Sequence, residues 1–285
     1  MTAITTPTRP LMRYHGGKWM LAPWIIQQFP PHRHYIEPFG GAASVLLRKP
    51  RSYSEIYNDL DGEIVEVFKV ARDQGGHLAN ALELTPFSRQ EFEESYERGL
   101  TELERARRTI VRSFMGFGTD GVHSTHVTGF RGRSDRSRTT PAHDWRNFQK
   151  ALRMIVERLQ GVVIEHKPAL EIIESYDKEG ALFYVDPPYV HSTRKRVDAA
   201  RGYRCEMTDA DHEILAEVLG KVKGAVILSG YDCDLYDRLY GGPEGRVGPW
   251  TRIEKTGPFS DGAKERTEVL WMRNCDHGLF AGMGQ

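Results

Sequence analysis

The chain has 285 residues, 39% of them hydrophobic and 27% charged, and its 39 Lys and Arg are balanced by 39 Asp and Glu. This composition is typical of a globular protein with a sizeable core, and a net charge of zero indicates no partner by itself. The three scattered cysteines argue against a disulfide framework, and the chain has neither an apolar leader nor an apolar run long enough to span a bilayer. We therefore expect a cytoplasmic protein rather than a secreted or membrane protein.

The first elements in chain order alternate between strand and helix. Residues 35–59 predict a strand, a glycine turn, a short helix and a second strand, and residues 61–73 predict an amphipathic helix. From about residue 75 to residue 160 the strand pattern stops. Two spacings typical of capping boxes occur there, Ser88 with Glu91 and Thr101 with Glu104, and a strongly amphipathic helix is predicted after Pro141.

Strand patterns return after residue 160, with helices between them. The predicted strands are 162–166, 181–185, 224–230, 250–255 and 266–272, and the predicted helices are about 169–175 and 209–220. Strands that alternate with helices indicate an α/β fold with a mostly parallel, doubly wound sheet. We expect residues 10–74 and 161–276 to form this α/β domain, and residues 75–160 to form a helical insertion.

The insertion carries a local excess of positive charge. Between Arg105 and Arg153 there are eleven Lys or Arg and three Asp or Glu, and the intervening loop 116–141 is long and rich in Gly, Ser, Thr and Arg. A basic region in a neutral protein suits a polyanion, because phosphate neutralisation releases counterions. The alternative is the solvated face of an Arg-rich helix.

A candidate nucleotide site lies where the first strand turns into the first helix. The turn Glu37–Ser44 contains Gly40 and Gly41, whose small size lets a ligand approach the backbone, and it lacks the GxGxxG fingerprint of a diphosphate site. Asp59 ends the second strand, where a carboxylate can accept hydrogen bonds from ribose hydroxyls. Together they suit a nucleoside ligand without a diphosphate, such as S-adenosyl-L-methionine. The alternatives are a structural turn and an N-cap for the helix 61–73.

The segment "RYHGGKW" precedes this unit and places aromatic and cationic residues around a pair of glycines. Such a segment can close over a charged small molecule. The alternative is an N-terminal segment that only packs Trp19 against the fold.

The most specific stretch is "ALFYVDPPYV", residues 181–190, in which a buried strand runs directly into Asp186 and two prolines. Prolines cannot continue a central strand, so the strand ends there on a stiff corner. The Asp186 carboxylate and the Pro187 carbonyl are two acceptors in fixed positions, as an exocyclic amine requires, and Tyr189 offers a face for stacking a planar base. A base in a duplex reaches such a pocket only when it is flipped out.

Seven segments in order resemble one family over about residues 10–272. They are "YHGGKW", "YIEPFGGAAS", "YNDLD", "RSFMGFG", "TGFR", "VDPPYVHSTR" and "RTEVLWM", and they are similar to DNA adenine-N6 methyltransferases of the DPPY type, which include Dam-like, phage and restriction-modification enzymes. The resemblance implies a Rossmann-like S-adenosylmethionine domain with a helical target-recognition insertion. It also implies double-stranded DNA as the substrate, a restriction endonuclease as a candidate partner, and a monomer or weak dimer.

The resemblance assigns roles to residues of this chain. The implied catalytic residues are Asp186, Pro187, Pro188 and Tyr189. The implied cofactor-binding residues are Tyr14, Gly17, Lys18, Glu37, Pro38, Phe39, Gly40, Gly41, Asp59 and Asp186. The implied DNA-binding residues are Arg112, Arg131, Arg133, Arg136, Arg138 and Arg194.

Several points stay open in the sequence. Pro168 stands where the family commonly has an acidic residue for the cofactor adenine, and Glu165 is the candidate substitute. The two-acceptor site also fits the N4 amine of cytosine, although the resemblance favours adenine over cytosine, RNA or protein glutamine. A DNA-binding module that no longer transfers methyl groups is a further alternative. His123 and His126 have metal-like spacing without further ligands, so we expect no metal. The loop after the catalytic motif, which contains Arg194, is expected to close over the flipped base.

Overall fold

The computed structural model describes residues 6–97, 101–118, 122, 128–133, 139–193, 204–241, 248–257 and 266–275. These residues form an α/β fold around one twisted sheet. Its strands are β1 (His34–Glu37), β2 (Ser54–Asn58), β3 (Val162–Glu165), β4 (Ala181–Val185), β5 (Ala225–Gly230), β6 (Thr251–Gly257) and β7 (Arg266–Arg273). Each predicted strand is confirmed, with ends that differ by one or two residues.

The strand order in the sheet is β3-β2-β1-β4-β5-β7-β6. The first five strands are parallel, whereas β7 lies antiparallel between β5 and β6. The order changes direction at β1, from which the chain proceeds to β2 on one side and later returns to β4 on the other. In open α/β sheets, ligands bind beyond the carboxyl ends of the strands at such a switch point. The functional cleft is therefore expected beyond the ends of β1, β2 and β4.

The predicted capping boxes at Ser88 and Thr101 are each half formed, and a further cap lies at Thr208. Thr208 and Asp211 form a complete capping box, whereas Ser88 and Thr101 each accept one backbone hydrogen bond from the residue three positions on. The helices are α1 (Ala22–Ile26), α2 (Ser44–Arg48), α3 (Gly62–Asp73), α4 (Gly75–Glu83), α5 (Arg89–Glu94), α6 (Glu102–Met115), α7 (Pro141–Leu159), α8 (Ala169–Tyr176), α9 (Asp209–Leu219) and α10 (Asp234–Tyr240).

The helices α4–α7 of the insertion share one core with the sheet. A single buried cluster joins Leu182 and Leu270 of the sheet to Phe68 of α3 and to Ile110 and Phe148 of the insertion. The opposite face of the sheet packs on α8, α9 and α10 in a second cluster. The insertion is thus built onto α3 rather than around a core of its own, and its boundaries at residues 75 and 160 stay a prediction.

A buried ion network fastens the end of the insertion to the sheet. Arg158 of α7 donates to both carboxylate oxygens of Glu55 on β2, at 2.6 and 2.9 Å, and Lys49 donates to the same carboxylate at 2.6 Å. All three side chains are almost fully buried. Loss of one member would leave a buried charge unpaired, which is strongly destabilising. Among the described residues, none of the helices has the length and apolarity needed to cross a membrane.

Candidate functional site

The alternation of side chains in the strands gathers polar groups at one corner of the sheet. Residues two apart on a strand share a face, so Glu37 lies on the same face as Tyr35, and Asp186 on the same face as Tyr184. The same rule puts Ser229 on the face of Ile227 and Glu268 on the face of Leu270. These four apolar or aromatic residues belong to the cluster that packs on the insertion. Because β7 runs antiparallel to β5 and β6, its first residues lie beside the carboxyl ends of these two strands.

A cleft opens at this corner, and its empty space, including the part open to solvent, is about 910 Å³. It lies beyond the ends of β1, β2 and β4, as the strand order predicts. It is lined by the N-terminal segment, the glycine turn, the end of β2, the corner that follows β4, and residues 204–207. From the predicted sites the lining includes Tyr14, Gly17, Lys18, Glu37, Pro38, Phe39, Gly40, Gly41, Asp59, Asp186 and Pro188.

The glycine turn is shaped by two aromatic rings. A Cβ at Gly40 would meet the Tyr57 ring at 2.2 Å, and one at Gly41 would meet the Tyr14 ring at 2.9 Å. Gly41 also has φ +47°, in the left-handed region that favours glycine. The Tyr57 hydroxyl donates to the Gly41 carbonyl at 2.8 Å. The two rings therefore leave no room for a side chain at either position, so the turn lines the cleft with its backbone.

Asp59 holds the turn and also faces the cleft. Its carboxylate accepts from the backbone N–H groups of Gly41 and Asp61, each at 2.8 Å. Burial raises the pKa of Asp59 to about 6, although hydrogen bonds from Asp61 and Gly41 oppose the rise. The cap of α3 is instead Asp61, whose side chain accepts from Glu63 N–H. The alternative reading of Asp59 as the helix cap is therefore wrong.

Glu37 is a buried acid at the floor of the cleft. Its Oε1 accepts from the Tyr35 hydroxyl at 2.5 Å and from Leu46 N–H at 2.7 Å. Burial raises the pKa of Glu37 to about 8, against the lowering effect of these two hydrogen bonds. The side chain is therefore neutral at physiological pH until a positive charge comes near it.

Asp186 lies immediately after β4 and is paired with a buried lysine. Lys18 Nζ donates to Asp186 Oδ1 at 2.9 Å and to the Gly16 carbonyl at 3.0 Å. Burial raises the pKa of Asp186 to about 6, with Lys18 lowering it and Glu268 raising it further. Lys18 therefore contacts the Asp186 carboxylate directly, in addition to lining the cleft in which it was expected to bind the cofactor.

Tyr189 is not an open stacking platform in this structure. Its ring is 7% exposed, with Lys18 Nζ 4.7 Å above its centroid and the Tyr231 ring 4.5 Å away in an edge-to-face contact. Its hydroxyl donates to Glu268 Oε1 at 2.5 Å. The prediction that Tyr189 offers a free face is corrected, because stacking on a base requires Lys18 or Tyr231 to shift.

Two buried residues beside the predicted site, Ser229 and Glu268, were not identified in the sequence. Both are fully or almost fully buried, and the Ser229 hydroxyl donates to Glu268 Oε1 at 2.6 Å. The signal available in the sequence was that Glu268 directly precedes the apolar run Val269–Trp271, because acids are rarely buried without a partner. The partners themselves come from other strands, so the sequence alone did not indicate the contact.

Residues 204–207, here called the strap, cross the open side of the cleft. Arg204 pairs with Glu63 at 2.8 Å and with Asp61 at 3.2 Å, and it donates to the Val122 carbonyl at 3.3 Å. Cys205 and Met207 of the strap line the cleft. One arginine therefore connects the strap, α3 and the insertion.

The predicted DNA-binding arginines divide into three groups. Arg112 is internal, because it pairs with Glu63 and donates to the Ser95 carbonyl at 2.5 Å. Burial and the nearby charge of Arg204 lower the pKa of Arg112 to about 10. Arg131 is also mostly buried, 3.5 Å from Asp144, whereas Arg133 is exposed. The prediction of a DNA-facing Arg112 is corrected; Arg136, Arg138 and Arg194, with the loop after the catalytic motif, lie outside the described residues.

The candidate adenine contact at Glu165 is also corrected. Glu165 accepts from the Tyr176 hydroxyl at 3.0 Å and does not line the cleft. Pro168 precedes α8 as its N-cap residue, and Ala169 and Leu60 line the cleft nearby. In the part of the chain that the structure describes, no group of three or more His, Cys, Asp or Glu can hold a metal; His123 and His126 lie outside it.

A family model described as D12 class N6 adenine-specific DNA methyltransferase matches residues 14–254. Among solved structures, the rRNA methyltransferase aviRa from Streptomyces viridochromogenes is similar at 12% identity, covering 99% of this chain and 94% of that chain with a TM-score of 0.39. A methyltransferase complexed with SAH, SMU.472, is also 12% identical, covering 95% of this chain and 55% of that chain with a TM-score of 0.38. No curated protein matches the chain significantly.

Proposed function

Because the chain belongs to the D12 class of N6 adenine-specific DNA methyltransferases, we propose that its cleft binds S-adenosyl-L-methionine and presents a DNA adenine to Asp186. The observation that carries this proposal is the position of Asp186. Its carboxylate lies at the end of a cleft whose other parts are a glycine turn and the Asp59 carboxylate. A ligand seated on the turn would thus have its far end beside the catalytic corner.

The residues around the cleft fit the parts of the cofactor. The Asp59 oxygens keep lone pairs for ribose hydroxyls after their backbone contacts. Gly40 and Gly41 bring backbone without side chains to the cleft, and Leu60 and Ala169 offer apolar surface for the adenine ring. Glu37 and Tyr14 also line the cleft, where the ammonium or sulfonium charge of the cofactor would favour ionised Glu37. When bound, the cofactor supplies an electrophilic methyl group.

At the transfer end, Asp186 and the backbone of Pro187 hold the target amine. The carboxylate and the carbonyl each accept one N–H bond, which orients the amine lone pair towards the methyl group. Catalysis then comes mainly from orientation and electrostatics. The N–C bond would form as the methyl–sulfur bond breaks, which leaves S-adenosylhomocysteine, and the alkylated amine would then lose its acidic proton to solvent. The target adenine must leave the duplex to reach this corner, at a cost of about a few kcal/mol.

Two other functions fit parts of the same site. The two acceptors would also hold the N4 amine of cytosine, and a protein with an intact pocket can bind DNA without turnover. The pair of Asp186 and Lys18 favours an active enzyme over the inactive DNA-binding module, because a mostly buried ion pair is costly to keep and an inactive module has no use for it.

The test is to identify the methylated nucleoside. The protein is incubated with duplex DNA and S-adenosylmethionine labelled in the methyl group, and the DNA is digested to nucleosides. We expect label in N6-methyldeoxyadenosine. Label in N4-methyldeoxycytidine would contradict adenine specificity, and DNA binding without label would favour the inactive module. A restriction endonuclease partner, a monomeric or weakly dimeric state and a cytoplasmic location stay predictions.

A further inference from the structure

Glu268 is a carboxylate inside a sheet, and the transfer scheme above does not use it. It is 2% exposed and is followed on β7 by Val269, Leu270 and Trp271, which are fully buried. Burial of an ionised carboxylate is costly unless charges and hydrogen bonds compensate it. Its neighbours must therefore supply that compensation.

Three groups from other parts of the chain converge on Glu268. The hydroxyls of Tyr189 and Ser229 donate to Oε1 at 2.5 and 2.6 Å, and Lys18 Nζ lies 3.7 Å from the same oxygen. Two of these groups, Tyr189 and Lys18, also contact the catalytic corner. Glu268 is thus one residue removed from Asp186 through both of them.

The Lys18 ammonium lies between two carboxylates, 2.9 Å from Asp186 and 3.7 Å from Glu268. An amine that donates to Asp186 competes with Lys18 for the same carboxylate. If Asp186 were its sole anionic partner, Lys18 would become an unpaired buried charge at that moment, which is strongly unfavourable. Glu268 gives Lys18 a second partner, so that Asp186 can receive the target amine.

The second contact of Glu268, with the Tyr189 hydroxyl, restricts the Tyr189 ring. A tyrosine ring whose hydroxyl is fixed at 2.5 Å can turn only about the axis that joins its two anchored ends. Glu268 therefore sets where the Tyr189 ring stands when Lys18 or Tyr231 moves from it. Because Ser229 donates to the same oxygen, it fixes the carboxylate in turn.

We propose that Glu268 is a positioning residue of the transfer site, which holds the Tyr189 ring through its hydroxyl and takes over the Lys18 ammonium when the target amine engages Asp186. This inference rests on the proposed function. It assigns Glu268 no contact with substrate or cofactor and places its effect on the transfer step rather than on cofactor binding.

The test is the isosteric variant Glu268→Gln, compared with Glu254→Gln, which removes an exposed carboxylate from the neighbouring strand. We expect E268Q to lower kcat by about tenfold or more, the effect of losing a charge-assisted buried hydrogen bond. We expect the KM for S-adenosylmethionine to change less than about threefold, and E254Q to match the wild type. The acid limb of kcat/KM for DNA should move to lower pH in E268Q, because the charge of Glu268 raises the pKa of Asp186.

A second variant, Tyr189→Phe, removes the hydroxyl and keeps the ring. Its kcat loss should not add to that of E268Q in the double variant, because both changes break one contact. If E268Q fails to fold, Y189F carries the test alone, and wild-type kcat in Y189F would overturn the proposal. So would wild-type kcat and pH profile in folded E268Q. If the wild-type protein itself transfers no methyl to adenine, the proposed function has failed instead.

Discussion

At the scale of single residues, the cleft contains acids whose proton affinities differ from their ordinary values. Asp186 has a pKa of about 6 and Glu37 one of about 8, in each case mainly because burial disfavours the charged form. Lys18 opposes this effect at Asp186 by direct contact. The two acids are therefore in different protonation states at neutral pH, Asp186 ionised and Glu37 neutral.

The ionisation of Asp186 predicts a pH dependence of transfer. A carboxylate that accepts from the target amine must be ionised, so activity is lost as the pH falls through the pKa of Asp186. We expect the acid limb of kcat/KM for DNA, which reports the enzyme before DNA binds, near pH 6. In Lys18→Met the stabilising charge is gone and the limb should move to higher pH. An unchanged limb in this variant would show that another group controls it.

Glu37 predicts a pH dependence of stability. Its pKa is about 8 in the folded chain, against an ordinary value near 4.5, so the folded state binds a proton that the unfolded state has released. The contribution is therefore present at low pH and decreases as the pH rises from about 4.5 to 8. We expect the wild-type protein without cofactor to lose more unfolding free energy than Glu37→Gln between pH 5.5 and 8.5. Urea unfolding at both pH values measures this difference, and equal losses would contradict the assignment.

At the scale of elements, the strap connects the cofactor cleft to the insertion. Arg204 pairs with the acids at the start of α3 and with the Val122 carbonyl, which holds Cys205 and Met207 over the cleft. We expect Arg204→Ala to weaken S-adenosylmethionine binding about fivefold, or about 1 kcal/mol, as for one partly exposed ion pair. Calorimetry measures the affinity, and Arg238→Ala on α10 is the exposed control. An unchanged affinity in R204A would contradict a role of the strap in closure.

The same elements show what the sequence can and cannot predict. Most strands were predictable because they are short, largely apolar runs bounded by turns, and the helix after Pro141 because its apolar residues recur at helical spacing. The antiparallel insertion of β7 between β5 and β6 was not, because hydrophobic pattern carries no information on strand order. Glu268 reaches Tyr189 and Lys18 only through that order. The position of Asp186 at the end of a strand was predictable, because the strand and the two prolines that end it are adjacent in the sequence.

The DNA contacts predicted for Arg112 and Arg131 are not supported by the structure, for a related reason. Sequence reveals a local excess of positive charge and not the direction of each side chain. Arg112 pairs with Glu63 from α3, and Arg131 lies beside Asp144 from α7, so neither charge is free for phosphate. Acidic partners outside the counted segment, such as Glu63, offset part of the excess.

At the scale of the whole molecule, DNA binding should depend on exposed rather than internal cations. We expect Arg133→Ala to weaken DNA binding and to reduce the slope of log K against log salt by about 1, the effect of one lost phosphate contact. Arg112→Ala should leave that slope unchanged and lower the unfolding free energy, because it breaks the buried pair with Glu63. Fluorescence anisotropy at several salt concentrations measures both. A reduced slope in R112A together with an unchanged slope in R133A would reverse the assignment.

The architecture as a whole brings three parts to one corner. The sheet supplies Asp186 and Glu37, the glycine turn and Asp59 line the cofactor cleft, and the insertion packs on α3 beside it. The central claim is that Asp186 acts in transfer and contributes little to cofactor affinity, since Asp59 and the turn lie at the other end of the cleft.

Methyl transfer by Asp186→Ala tests this claim most directly. Transfer to adenine in duplex DNA and the Kd for S-adenosylmethionine are measured together for D186A, the wild type and the exposed control Asp209→Ala. We predict that D186A loses transfer by about a hundredfold or more while its Kd changes less than about threefold, and that the control matches the wild type. Transfer by D186A at a rate near that of the wild type would contradict the account.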